Sequence, residues 1–107
     1  MIIVSTPGVD GVKIKETIGV VRGSSVRAKW FGKDIMAGLR NIVGGELKEY
    51  KELLEEARES AGSEMISDAR KLGADAVVNV RFMTSQISQG ASEILVYGTA
   101  VKLKNAK

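Results

Sequence analysis

From Glu46 to Leu72 apolar residues return every three or four positions: Leu47, Tyr50, Leu54, Ala57, Ala61, Met65, Ala69 and Leu72. That spacing predicts one amphipathic helix of about 27 residues, roughly 40 Å long at 1.5 Å per residue. Its ends agree. Gly44-Gly45 lets the chain turn in, Glu46 and Glu49 complement the positive end of the helix dipole, Arg70 and Lys71 complement the negative end, and Gly73 stops it. Lys48, Lys51, Glu52, Glu55, Glu56 and Glu59 make a wet face on which Lys51 and Glu55 can pair. A compact domain of 107 residues has a radius of gyration of only about 13 Å, so a rod this long implies an elongated molecule.

The segments on either side have a different period. After Gly73, Ala76, Val78, Val80 and Phe82 alternate with Val77, Asn79, Arg81 and Met83, and the Ser88-Gln89-Gly90-Ala91 stretch turns the chain into a last strand from Ser92 to Leu103. Before the helix, Ile2-Ile3-Val4-Ser5-Thr6 reads as a short strand stopped by Pro7-Gly8 and Asp10-Gly11, and a return strand follows from Lys13 to Val26. In that strand Ile14, Ile18 and Val20 share one face, with Thr17, Gly19 and Val21 on the other; Gly19 marks a bulge or a close backbone approach. Between Arg27 and Gly45, the residues Ile35, Met36, Leu39, Ile42 and Val43 have helical spacing, with Asp34 able to cap, and predict a short helix weakened by Gly38. The expected order is ββ, short helix, long helix, ββ: a single α+β domain over residues 1–107 whose antiparallel sheet carries one long helix.

Such a domain is poorly covered on its own. One helix about 10 Å wide leaves part of a four-stranded sheet about 19 Å wide bare. The last strand is apolar on both faces, Ile94, Val96, Gly98 and Ala100 against Leu95, Tyr97, Thr99, Val101 and Leu103, where a strand with one wet face would alternate with polar residues. The second layer must come from the Arg27–Gly45 segment or from another subunit, and the shortness of that segment favours a neighbour in a closed homo-oligomer.

The chain contains no cysteine and no histidine, which removes disulfides, thiolate nucleophiles, imidazole bases and the usual zinc and copper ligands together. No run approaches the roughly eighteen apolar residues of a membrane span, and Met1-Ile2-Ile3-Val4 is too short for a signal-peptide core, so the expected location is cytoplasmic. The net charge of +3 is unevenly placed. Residues 1–45 and 76–107 are basic while 46–75 are acidic, the pattern of a solvated helix over a sheet and not of a basic groove for nucleic acid.

Several motifs run in a recognisable order: Val43-Gly44-Gly45, Tyr50, Glu56-Ala57-Arg58, Ala61, Glu64-Met65, Ala69, Gly73-Ala74-Asp75-Ala76-Val77-Val78 and Gly98-Thr99-Ala100-Val101. Together with Asp34-Ile35-Met36-Ala37-Gly38-Leu39-Arg40 they closely resemble the YbjQ-like family of small bacterial and archaeal proteins over nearly the whole chain. The resemblance implies an α+β subunit similar to those of dodecin, assembled as a ring-shaped homopentamer of uncharacterised function. Some members of the family carry a heavy-metal-binding label, and a related selenium-binding protein is thought to use a cysteine, a residue absent from this chain.

Each candidate site has a competing structural explanation. Gly44 and Gly45 ahead of a helix N-terminus, with Arg40 nearby, offer backbone N–H groups to an anion. A tight turn or a subunit contact needs the same glycines, and no phosphate-loop pattern follows. Arg58 lies beside the apolar stripe and Asp68 within it by helical angle, which makes both candidates for ion pairs across an interface. The helix glutamates point around a straight rod and do not converge on a cation. Trp30-Phe31 with Arg27, Lys29 and Lys33 superficially resembles a nucleic-acid patch, and subunit packing explains it equally. Met36, Met65 and Met83 fit packing positions, not a soft-metal site.

With no catalytic residues, no metal ligands and no cofactor motif identified, the leading expectation is a non-enzymatic homo-oligomer, either structural or holding a small anionic or apolar ligand in a crevice between subunits. The alternatives are an enzyme whose site forms across the interface from Arg, Glu and backbone groups, and then a metal- or nucleic-acid-binding protein. The partners expected are other copies of the chain and an unidentified small molecule; neither a membrane nor nucleic acid is expected.

Overall fold

The structure is a computed structural model and describes residues 1–27, 47–88 and 91–104. Its elements are β1 (Ile2–Ile3), β2 (Ile14–Arg27), α1 (Leu47–Lys71), β3 (Ala76–Ser88) and β4 (Ala91–Leu103). The sheet order is β1-β3-β4-β2. The short helix expected after Asp34 lies outside the described residues.

β3 and β4 form the expected antiparallel hairpin, and β2 pairs antiparallel with the other side of β4. β1 departs from expectation. It does not pair with β2 but lies parallel to β3 at the opposite edge, with Ile2 opposite Ala76 and Ile3 opposite Val77, so the sheet is mixed and not antiparallel. The cause lies in residues 7–13, which form a small turn of their own in place of a tight hairpin: Val9 and Val12 bridge each other, with Val12 N donating to Val9 O at 3.2 Å. Val4, Val9 and Val12 then pack on Ala76, Val78, Val101 and Leu103, a small core on the sheet face away from the helix. Burying those valines carries the chain across the sheet before β2 begins.

The helix stops as its sequence dictates. Gly73 has φ 76°, its N–H donates to Arg70 O at 3.0 Å and the N–H of Ala74 to Ala69 O at 3.1 Å. These two bonds are the Schellman pair that satisfies the last carbonyls. On the wet face Lys51 and Glu55 pair at 3.9 Å, an exposed contact that contributes at most about 0.5 kcal/mol.

The main core joins α1 to the sheet through Ala57, Ala61, Met65 and Ala69 against Val21, Val77, Val80, Ile94, Val96 and Ala100. The small side chains in the helix stripe set the distance. A Cβ on Gly23 of β2 would collide with the carbonyl oxygen of Ala61 and lie 2.7 Å from Met65 N, so helix and strand backbones touch there. Two bulges adjust which residues face inward. Register shifts between Ile14 and Glu16 and between Thr17 and Gly19 separate Ile18 from Val20: Ile18 packs on the main core, while Val20 is 72% exposed. In β3 the register jumps between Val78 and Arg81, with Asn79 at φ 54°, and so Val77 and Val80 both reach the helix side.

The result is elongated, as the helix length requires. The Cα radius of gyration is 17.2 Å and the extents are 54 × 24 × 18 Å.

Candidate functional site

β4 is buried on both faces in its lower half, where Ala100 faces the helix and Val101 and Leu103 face the N-terminal turn. Toward the hairpin end no such second cover is found among the described residues. Pairing across the three long strands places Val20, Thr99 and Val78 in one row, Arg22, Tyr97 and Arg81 in the next, and Ser24, Leu95 and Met83 in a third. This far face has Val20 72%, Val26 50% and Met83 54% exposed, with Leu95, Tyr97 and Thr99 half-buried. Arg81 is held at its margin, one guanidinium nitrogen donating to Ser5 O at 2.9 Å and to Val80 O at 3.0 Å. Arg22 is exposed beside Tyr97.

A second bare surface lies on the helix side. α1 rides over β2 and β4 and barely touches β3, so Phe82, opposite the fully buried Val96, is 54% exposed.

The residues singled out from sequence fall apart from one another. Arg40, Gly44 and Gly45 lie outside the described residues, as do Trp30-Phe31, Lys29 and Lys33. Arg58 and Asp68 are both exposed on α1. Asp68 is not within the buried stripe as expected: the buried seam runs Ala57, Ala61, Met65, Ala69, and steps of four advance about 40° each, so by Ala69 the seam has turned away from Asp68. For the same reason Leu72 is 47% exposed. Met83, expected at a packing position, is likewise exposed on the far face. The exposure of Val20, Phe82 and Met83 could not be assigned from sequence, because period two reports that a residue alternates and not which half of a sheet a single helix covers.

Fold and surfaces together define a small α+β protein whose described residues form a mixed four-stranded sheet and a long helix, with exposed apolar residues on both sheet faces. The chain belongs to the YbjQ-like family, whose model, described as "Putative heavy-metal-binding", matches residues 1–104. It is 61% identical over 105 residues to a UPF0145 protein of Methanosarcina acetivorans, covering 98% of this chain and 99% of that one. A UPF0145 protein of Thermus thermophilus is 56% identical over 107 residues, with 99% and 94% covered, and one of Archaeoglobus fulgidus is 59% identical over 104 residues, with 97% and 96% covered. These names state a family and no activity. A crystal structure from Pediococcus pentosaceus, of a protein of unknown function in the DUF74 family, shares the fold with TM-score 0.66 at 16% identity, covering 97% of this chain and 98% of that one.

The family description names heavy metals, and this chain does not supply donors for them. Cysteine and histidine are absent. Of its thioethers Met65 is sealed in the core, and Met1 and Met83 stand apart on the surface. Among the described residues no three Asp or Glu side chains gather in a cluster able to hold an ion. Soft metals select thiolate and imidazole, so the residues present do not fit the group.

Proposed function

We propose that this chain is a non-catalytic subunit of a closed cytoplasmic homo-oligomer, a scaffold whose inter-subunit crevices accept a small anionic or apolar ligand. The observation that carries this reading is surface. Protein–protein contacts bury exposed apolar area of both partners, and on the helix side Phe82 is 54% exposed. The bare far face with Val20, Val26 and Met83 supplies apolar area of the kind such contacts bury. A ring-shaped pentamer, built of subunits with a fold similar to those of dodecin, is the assembly that the family resemblance favours. The cytoplasmic reading is supported by the absence of cysteine and by the absence, among the described residues, of a helix long and apolar enough to cross a membrane.

Native mass spectrometry of tag-free protein tests the assembly half of the proposal. A single multimer, with or without extra mass from a retained small molecule, supports the assembly; a monomer refutes it. Val20→Glu, which adds charge to an already exposed position, is expected to lower the assembled fraction while leaving the helix content of the subunit unchanged.

A further inference from the structure

Tyr97 of β4 stands between two arginines on the far face of the sheet, Arg22 of β2 opposite it on one side and Arg81 of β3 on the other. Bulges in both flanking strands put them there. The pairing of Thr17 with Val101, continued without a shift, would set Val21 opposite Tyr97, and that of Val78 with Thr99 would set Val80 opposite it. The extra residue in each strand turns both valines into the main core and re-aims an arginine to each side of the tyrosine. The core needs apolar residues at 21 and 80. It does not need arginine at 22 and 81.

Arg81 is oriented by the fold itself. Its Nη1 donates to Ser5 O at 2.9 Å and to Val80 O at 3.0 Å, which fixes the guanidinium plane, with Nε and Nη2 as its further donors. Both arginines are exposed and Tyr97 is half-buried. Among the described residues neither arginine has a carboxylate within 4.0 Å. The acidic residue of β4, Glu93, is four residues from Tyr97, about 13 Å at 3.3 Å per residue. One strand spacing, about 4.8 Å, separates the backbone of each arginine from that of the tyrosine. The row thus pairs planar cationic donors suited to a carboxylate or phosphate with a ring on which a flat group can stack.

We propose that the row Arg22, Tyr97 and Arg81 binds a small aromatic anion, its ring on Tyr97 and its acidic group held by the guanidinium groups. The inference rests on the reading of ligand-holding crevices above, and names the ligand class and the residues that take it.

Phenyl phosphate is the probe, with inorganic phosphate and phenol as its two halves, titrated calorimetrically into the tag-free assembled protein. Phenyl phosphate should saturate at about millimolar affinity or better and bind at least about tenfold more tightly than either half. Arg22→Gln and Arg81→Gln should each weaken it at least about tenfold, and Tyr97→Leu should abolish its advantage over inorganic phosphate. Lys51→Gln, which removes an exposed cation from the helix, should change nothing. Circular dichroism checks the fold of each variant and light scattering its assembly. If Arg81→Gln does not fold, Arg22→Gln and Tyr97→Leu decide. An assembled wild type that saturates with none of the probes, or arginine variants that fold and bind as the wild type does, overturns the proposal and leaves the assembly reading intact. Equal affinity for inorganic phosphate overturns the role given to Tyr97. A monomeric wild type overturns the assembly reading instead, whatever it binds.

Discussion

Gly23 and Ala61 meet backbone to backbone, and this contact fixes how closely α1 approaches β2. Ala57, Ala61 and Ala69 have no exposed surface; their small size is what permits the approach, and the larger Met65 fills the remaining space. A charge introduced at this contact has neither room nor a partner. Ala61→Glu should therefore destabilise the fold by about 3 kcal/mol or more, whereas Glu59→Ala, on the exposed side, should change it by less than about 0.5 kcal/mol. Thermal unfolding followed by circular dichroism measures both. Equal melting temperatures would mean that the helix is rotated away from the position described.

The elements show what the sequence could and could not disclose. The long helix, its glycine stop, the Lys51–Glu55 pair and the β3–β4 hairpin follow from local signals, 3.6- and 2-residue periods and turn chemistry, and all are found where those signals place them. The parallel β1–β3 pairing was not legible, because strand neighbours are decided by long-range burial, here of Val9 and Val12 beneath the sheet. Nor was the bulge at Asn79, since an asparagine within an alternating run carries no mark of left-handed geometry until the strand is built. Of the candidate site residues, Arg58 and Asp68 were correctly placed on the long helix. The angular drift of its seam, which exposes Asp68, emerges only from packing. The bulge offers a direct check on the β3 register. With φ at 54°, Asn79→Gly should be neutral or slightly stabilising, and Asn79→Val should cost about 1–2 kcal/mol; denaturant unfolding distinguishes these, and a neutral valine would mean that the strand runs without the bulge.

At the scale of the molecule, α1 lies over β2 and β4 and, among the described residues, Val20, Val26, Phe82 and Met83 remain exposed. The missing cysteine and histidine set a separate expectation: calorimetric titration of tag-free protein with zinc, copper(I), cadmium or mercury should show no saturable site of about micromolar or better affinity. A stoichiometric site would mean that the thioethers and carboxylates converge in the assembly as they do not in the described subunit. The central claim, self-association into a closed oligomer, is tested most directly by light scattering coupled to size exclusion over a range of micromolar concentrations. The account predicts one stable multimer that does not grow with concentration, since a closed ring leaves no free contact surface; for a pentamer the mass is five times the 11.5 kDa chain. A monomer of 11.5 kDa persisting across that range would contradict it.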